Sequence, residues 1–188
     1  MGYVVAKLYF YFGTMNAGKT THLLQADYNY TERGMKTICL TSEIDNRYKV
    51  GEITSRVGIK KKAVTYSYKF DFLKYMKNYH VDCVLVDESH FLTKEQVVQL
   101  AQIVDLYDTP VLTYGLKTDF KNELFEGSHS LLCWSDHCIE LKSLCWCGSK
   151  AIMNKRIKSI SGAQIEIGGN EQYVALCRKH FVSNKISY

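Results

Sequence analysis

Two hydrophobic patterns alternate along the first two-thirds of this 188-residue chain. Short apolar or β-branched runs indicate strands at residues 7–12, 36–41, 83–86 and 109–115. Apolar positions at helical spacing indicate helices at residues 19–30, 70–79 and 93–107. Strands that alternate with helices are typical of an α/β domain with a parallel sheet and right-handed crossovers.

Some of these elements carry signals at their ends. The run at residues 83–86 is apolar throughout, which is typical of a strand covered on both faces. Thr93 and Gln96 stand at the two positions of a capping box, so we expect the helix to begin there. Residues 43–62 are polar and interrupted by glycine, and we expect a loop with little regular structure.

Residues 13–20 fit the phosphate-loop spacing G-x-x-x-x-G-K-[ST]. The loop lies between a predicted strand and a predicted helix, where free N–H groups and the helix dipole favour an anion. Lys19 is expected to contact the β- and γ-phosphates of ATP, and the Thr20 hydroxyl a magnesium ion. The expected phosphate contacts are Gly13, Thr14, Met15, Asn16, Ala17, Gly18, Lys19 and Thr20.

Two acids, Asp87 and Glu88, end the apolar run at the edge where open α/β sheets bind ligands. Asp87 is expected to hold the magnesium ion with Thr20. Because side chains alternate along a strand, Glu88 should face elsewhere and could act as a general base. The alternative is that both acids are solvated residues at the end of a strand.

Cysteine and histidine cluster towards the end of the chain. Cys145, Cys147, Cys177 and His180 match a structural zinc site with three cysteines and one histidine. Gly148 would let backbone amides turn towards the sulfurs, and zinc would stabilise a lobe too small to bury its own core. The alternative is a set of unrelated buried thiols and an imidazole. The other cysteines are expected to be small buried hydrophobic residues: Cys39, Cys83, Cys133 and Cys138.

The pattern of predicted secondary structure changes near residue 139, where short strand-like segments and turns replace the alternating strands and helices. We therefore predict a phosphate-loop, ATP-binding α/β domain over residues 1–138 and a small zinc-binding domain over residues 139–188.

Composition limits the classes of partner. The net charge of +5 suits an anionic ligand, but residues 60–62 are the compact basic run and are typical of a solvated loop, so we expect no nucleic-acid partner. There is neither a signal-peptide pattern nor an apolar run of the ~20 residues that a membrane span requires. We expect a soluble, intracellular protein with no membrane contact.

The motifs together resemble those of the type II thymidine kinases, and the bacterial form is the most similar. The resemblance covers nearly the whole chain and consists of several motifs in one order. They are residues 13–20, Asp87-Glu88-Ser89-His90-Phe91, residues 114–120, residues 167–173 and both halves of the cysteine–histidine cluster.

This resemblance implies a RecA-like phosphate-loop domain and a zinc domain with a lasso loop. The implied activity is transfer of the γ-phosphoryl group of ATP to the 5′-hydroxyl of thymidine, with deoxyuridine as a possible substrate. By position, Glu88 is the implied catalytic base. Arg47 is an implied phosphate contact, and Asp87 is an implied contact of the triphosphate and magnesium. The implied nucleoside contacts are Met15, Phe91, Leu116, Phe120, Phe125, Ile167, Gly168, Gly169, Tyr173 and Val174.

The resemblance also implies a cytoplasmic homotetramer inhibited by dTTP. Many members of the family carry glutamine at the position of His90, so the polar contact there differs. The chain ends soon after His180, and a C-terminal regulatory tail is expected to be missing. From the residues alone, two other functions stay open: a nucleic-acid-dependent ATPase with a zinc ribbon, and a kinase of another small metabolite.

Overall fold

The computed structural model describes residues 5–45, 49–157, 168 and 171–187. Its strands are β1 (Leu8–Phe12), β2 (Thr37–Ser42), β3 (Glu52–Thr54), β4 (Lys60–Lys62), β5 (Val64–Tyr66), β6 (Cys83–Val86), β7 (Val111–Gly115), β8 (His137–Glu140), β9 (Ser143–Leu144), β10 (Lys150–Ala151), β11 (Met153–Arg156) and β12 (Tyr173–Leu176). Its helices are α1 (Lys19–Thr31), α2 (Phe72–Met76), α3 (Lys94–Tyr107), α4 (Glu126–Trp134) and α5 (Arg178–Val182).

A parallel sheet forms the centre of the described chain, with strand order β5-β2-β6-β7-β1-β8. Each neighbouring pair of its strands runs parallel. This confirms the predicted α/β class. The sheet extends to Glu140, two residues beyond the predicted domain boundary at residue 138.

Helices cover both faces of the sheet. One face packs against α2, α3 and α4 through a large buried cluster that includes Phe10, Val84 and Leu100. The opposite face packs against α1 through Leu23 and Leu24. The apolar run of β6 is therefore buried on both sides, as its sequence predicts.

A smaller lobe follows the sheet and contains two antiparallel strand pairs, β9–β10 and β11–β12. β12 leads directly into Cys177, which caps α5. The buried centre of this lobe is small and consists of Cys145, Ala151, Ala175 and Leu176. A core of this size gives little stability by itself.

Three expectations from the sequence are wrong or incomplete. Residues 43–62 contain the antiparallel hairpin β3–β4, so they are more regular than the predicted loop. α2 is five residues long, shorter than the helical spacing at 70–79 suggests. Cys39 and Cys83 are buried, but Cys133 and Cys138 are exposed, because α4 ends and the edge strand β8 begins at the surface.

The capping box of α3 is confirmed. Thr93 Oγ1 accepts from the backbone amide of Gln96, and Gln96 Oε1 accepts from the backbone amide of Thr93. α3 is 14 residues long. Among the described residues, no helix combines the length and the apolar character that crossing a bilayer demands.

Candidate active site

Residues that follow β1, β6 and β7 line a cavity of about 280 Å³. In open parallel sheets this carboxyl edge is where ligands bind. The hairpin β3–β4 contributes a second part of the wall, and the small lobe contributes Asn154, Gly168 and Tyr173. One cavity therefore joins the sheet, the hairpin and the lobe.

β1 and α1 position the phosphate loop. Gly18 caps α1 with a φ of 76°, a left-handed conformation that glycine adopts without steric cost. A Cβ on Gly13 would lie 2.4 Å from the carbonyl oxygen of Leu141, so a larger residue does not fit there. Lys19 Nζ donates to the carbonyl oxygens of Thr14 at 2.8 Å and Gly13 at 3.2 Å. The loop thus holds a positive charge beside a helix N-terminus, an arrangement that binds anions.

Asp87 directly follows β6 and is 4% exposed. Thr20 Oγ1 donates to Asp87 Oδ2 at 3.0 Å, and the Glu88 amide donates to Oδ1 at 3.0 Å. Burial and then the charge of Glu88 raise the pKa of the Asp87 carboxyl to about 7. A hydroxyl beside a carboxylate that is costly to ionise suits a hard divalent cation, because the cation favours the ionised form.

The backbone of Glu88 is strained. Its φ of 52° and ψ of 36° lie in the left-handed region, which is uncommon for a residue with a side chain. Tyr66 is 1% exposed, and its hydroxyl donates to the carbonyl oxygens of Asp87 at 3.1 Å and Glu88 at 2.9 Å. Surrounding contacts of this kind allow strain of about 1–3 kcal/mol to persist at functional sites.

The two acids face different groups. Asp87 contacts Thr20, whereas Glu88 Oε2 lies 3.6 Å from His90 Nδ1. The Glu88 side chain is 13% exposed, so its carboxylate is largely shielded but borders the cavity. The alternative of two solvated acids at the end of a strand is wrong, because Asp87 is buried and Glu88 is largely so.

His90 belongs to an aromatic part of the wall. Its ring centroid lies 4.0 Å from that of Phe91 and 4.7 Å from that of Phe125. The Leu116 amide donates to His90 Nδ1 at 3.3 Å, so this nitrogen acts as an acceptor. His90 is 4% exposed, so its ring is packed within the wall.

Most of the predicted contact residues come together at this cavity. Of the phosphate set, the lining residues are Met15, Asn16, Gly18, Lys19, Thr20 and Asp87. Gly13 and Thr14 line a small separate pocket, and Ala17 lines neither cavity. Of the nucleoside set, the lining residues are Met15, Phe91, Leu116, Phe120, Phe125, Gly168 and Tyr173.

The remaining predicted residues are placed differently or not described. Val174 packs against the buried centre of the small lobe and does not line the cavity. Arg47, Ile167 and Gly169 lie outside the described residues. Their proposed contacts stay predictions.

Sequence reasoning missed several contributors to the cavity, among them Arg56 and Asn154. Arg56, in the turn of the hairpin, lines the wall, and the sequence contains little signal for this hairpin because β4 consists of three lysines, a residue type that is uncommon in strands. Asn154 is 4% exposed, and its Oδ1 accepts from the Met15 amide at 2.9 Å. The sequence carries no local signal for that contact, because the two residues are 139 positions apart.

The four predicted zinc ligands converge. The ligand atoms of Cys145, Cys147, Cys177 and His180 all lie within 4.8 Å of one another. His180 Nδ1 is 3.4 Å from the sulfurs of both Cys145 and Cys177. Tetrahedral zinc with ordinary bond lengths places sulfur and nitrogen about 3.6 Å apart, so the donor set fits zinc.

Local contacts also favour metal binding at this cluster. Hydrogen bonds from Ser149 lower the pKa of the Cys147 thiol to about 7, which favours the thiolate that binds metals. Gly148, with a φ of 83°, makes the turn, and its amide donates to the Cys145 carbonyl oxygen at 2.9 Å. The Trp146 ring stacks on His180 at 4.1 Å between centroids and fixes the imidazole.

The similarity to known proteins extends over nearly all of the chain. The thymidine kinase of Photorhabdus laumondii is 49% identical over 187 residues, which cover 95% of this chain and 93% of that protein. The thymidine kinase of Shewanella oneidensis is 51% identical over 186 residues, which cover 94% and 97% respectively. A solved DNA replication initiation factor superposes with a TM-score of 0.41 and 15% identity over 73% of this chain and 40% of that chain, too distant to bear on function.

The family match agrees with this range. The family model for thymidine kinase matches residues 6–181, which include the phosphate loop, the acid pair and all four cysteine and histidine ligands. With relatives at about half identity along nearly the full chain, this protein belongs to the thymidine kinase family.

Proposed function

We propose that this chain transfers the γ-phosphoryl group of ATP to the 5′-hydroxyl of thymidine, giving dTMP, with deoxyuridine as a second substrate. One observation carries the proposal: the phosphate loop, the acid pair Asp87–Glu88 and several aromatic side chains share a single cavity. The loop suits a triphosphate, the acids suit a metal and a hydroxyl, and the aromatic rings suit a flat base. Family membership supports thymidine as the acceptor.

The donor half of the reaction depends on charge and position. Phosphoryl transfer has little covalent chemistry for a protein to perform, so positioning and electrostatic stabilisation supply most of the rate. Lys19 and the loop amides would hold the triphosphate. Arg56 borders the same cavity and would add positive charge, and the resemblance adds Arg47 as a phosphate contact.

Magnesium would be held by Thr20 and Asp87, whose side-chain oxygens are 3.0 Å apart. When bound, it would neutralise charge on the β- and γ-phosphates. The raised pKa of Asp87 supports this assignment, because a buried carboxyl beside Glu88 gains more from a cation than a solvated one does.

Glu88 would act as the general base. It would take the proton of the 5′-hydroxyl as the hydroxyl oxygen bonds to the γ-phosphorus and the bond to the ADP oxygen breaks. Three observations support Glu88 for this role: its carboxylate borders the cavity, is mostly shielded from water and is separate from the contact between Asp87 and Thr20.

The acceptor half would hold the base between aromatic side chains and the lasso. Phe91 and Phe125 meet edge to face at 6.2 Å, and Arg156 lies 3.6 Å from the centroid of the Phe120 ring. These contacts pre-orient the rings, which favours stacking with a planar base. Residues 168–174 would close over the base and read its edge partly through backbone hydrogen bonds.

Structural zinc would be held by Cys145, Cys147, Cys177 and His180. When bound, zinc would add folding free energy to a lobe whose buried centre is only four residues. We propose residues 139–188 as this metal-stabilised domain. Elemental analysis of the purified protein should find one zinc per chain, and metal-free wild-type protein would contradict the site.

The activity is tested with purified protein, Mg²⁺ and labelled ATP against thymidine, deoxyuridine, deoxycytidine and uridine. We expect transfer of label to thymidine, lower transfer to deoxyuridine and ATP turnover that depends on the nucleoside. Lys19→Ala is the matched loss-of-function control. ATP turnover that responds to single-stranded DNA and not to thymidine would overturn the proposal.

Regulation and assembly are proposed from the resemblance. dTTP would inhibit competitively with thymidine, because it joins the same base to a triphosphate tail, and the chain would form a cytoplasmic homotetramer. Inhibition kinetics measure the competition between dTTP and thymidine, and sedimentation analysis measures the oligomeric state. Inhibition that thymidine does not relieve would contradict the shared site, and a monomer at all concentrations would contradict the tetramer.

A further inference from the structure

The hairpin β3–β4 forms part of the cavity wall although it lies outside the main sheet. It spans residues 52–62 and closes with a hydrogen bond from the Ser55 amide to the Ile59 carbonyl oxygen at 2.8 Å. Its turn carries Arg56, which borders the cavity. A two-stranded hairpin is marginally stable by itself in water. Its position over the cavity must therefore depend on its attachment to the rest of the domain.

Two contacts attach the hairpin to α1. Ile53 is 3% exposed and packs in the cluster that contains Leu23 and Leu24 of α1. Lys61 Nζ lies 2.8 Å from Asp27 Oδ2, also on α1. α1 begins at the phosphate loop, so both attachments fix the hairpin relative to the residues that hold the triphosphate.

Asp27 is a buried acid with several donors. Its side chain is 8% exposed, its Oδ1 accepts from the Thr37 hydroxyl, and the Cys39 thiol lies 3.6 Å from the same oxygen. These neutral donors satisfy one oxygen, and Lys61 brings a positive charge to the other. Asp27 is the buried partner, whereas the Lys61 side chain is 39% exposed. Removal of Lys61 would leave a shielded carboxylate without its cation, so the ion pair favours the docked position of the hairpin.

The strand pattern of β4 selects Lys61 for this contact. Its neighbours Lys60 and Lys62 face solvent, and Lys60 pairs instead with Glu52 across the hairpin at 3.4 Å. Lys62 therefore provides a matched control: the same residue type on the same strand, one position away and exposed.

We infer that the Asp27–Lys61 ion pair is a positioning device that holds the hairpin, and with it Arg56, against the phosphate-loop helix when MgATP binds. The inference rests on the proposed function, since it assigns the hairpin to the donor side of that reaction. Lys61 does not itself touch the substrate in this arrangement. Loss of the pair lowers the fraction of molecules with the wall in place, and the apparent affinity falls by that fraction.

The first experiment compares steady-state kinetics of Lys61→Met, Lys61→Arg and Lys62→Met. If the docked fraction falls to about one in five, the KM for MgATP rises about fivefold, while kcat stays within about twofold because the chemistry of docked molecules is unchanged. Lys61→Arg should restore most of the affinity, and Lys62→Met should match the wild type. Equal KM values for Lys61→Met and Lys62→Met would overturn the inference.

A second variant separates positioning from stability. Lys61→Met leaves a buried charge at Asp27 and should lower the melting temperature, whereas the double variant Asp27→Asn with Lys61→Met removes that charge. The double variant should regain much of the melting temperature and keep the raised KM. A KM that recovers together with the melting temperature would show that the pair acts on stability alone, and would overturn the inference.

A third measurement does not depend on kinase activity. An arginine-specific protease should cleave after Arg56 faster in Lys61→Met than in Lys62→Met or the wild type, as mass spectrometry of the fragments would show. If the wild type phosphorylates no nucleoside, the proposed function fails, and this cleavage still reports on the attachment. Identical cleavage rates in the three proteins would overturn the inference independently.

Discussion

Tyr66 holds the acid pair in place, and its hydroxyl can be removed without changing its ring. In Tyr66→Phe the carbonyl oxygens of Asp87 and Glu88 lose their shared donor within a buried site, and the Glu88 oxygen keeps the Phe91 amide as a donor at 3.0 Å. An unsatisfied buried acceptor costs about 1–3 kcal/mol. Because the Asp87 oxygen loses this donor and the Glu88 oxygen keeps one, we expect a loss in the middle of this range, about 2 kcal/mol, which lowers Tm by about 4–8 °C in a chain of this size.

The same change should affect turnover. The left-handed backbone of Glu88 carries strain of about 1–3 kcal/mol, and the Tyr66 hydroxyl contributes to holding it. If loss of the hydroxyl costs about 1.4 kcal/mol in the positioning of Glu88, kcat falls about tenfold. The KM for thymidine should change less than about twofold, because the Tyr66 hydroxyl donates to backbone carbonyl oxygens and Tyr66 does not line the cavity.

Calorimetry measures the first effect and steady-state phosphoryl transfer measures the second. Tyr28→Phe is the matched control, because the Tyr28 side chain is 59% exposed and should alter neither quantity. Wild-type Tm and kcat in Tyr66→Phe would refute the view that Tyr66 holds the turn at Glu88. A fall in Tm without a fall in kcat would confine its role to stability.

Three further substitutions test other parts of the site. Glu88→Gln should lower kcat about 10²-fold or more and leave MgATP affinity, measured by titration calorimetry, within about twofold; unchanged turnover would remove Glu88 from the mechanism. Cys147→Ser should lose zinc on elemental analysis, and retention of a full equivalent would contradict a four-ligand site. Gly13→Ala places a Cβ 2.4 Å from the Leu141 carbonyl oxygen and should lower both Tm and MgATP affinity, as scanning and titration calorimetry measure; wild-type values of both would contradict a tight backbone contact at Gly13.

Local patterns were sufficient to predict four of the six sheet strands, β1, β2, β6 and β7, and the phosphate loop, whereas β5 and β8 were not predicted. The apolar run at 83–86 could be read because burial on both faces leaves no polar position in the strand. The capping box of Thr93 could be read because its two partners are three residues apart. In each case the residues that determine the structure are neighbours in the sequence.

Contacts between distant segments explain what the sequence left out. The hairpin β3–β4 is polar on its exposed side, and its docking depends on Ile53 and Lys61 meeting α1, which no local pattern encodes. The exposure of Cys133 and Cys138 depends on β8 being an edge strand, a property of strand order. The cluster of three cysteines and one histidine was predictable as a set because its residue types and spacing are unusual together, whereas Asn154 is an ordinary polar residue in a short strand.

The hydrogen bond from the Met15 amide to Asn154 has a consequence for protein engineering. The lobe that carries the cysteine–histidine cluster also supplies the acceptor for a backbone amide of the phosphate loop, so it is not an interchangeable module. A chimera that receives this lobe from a relative needs, at position 154, a side chain whose oxygen can accept a hydrogen bond from the Met15 amide. Without one, a graft that keeps all three cysteines and the histidine would still leave the Met15 amide without its acceptor.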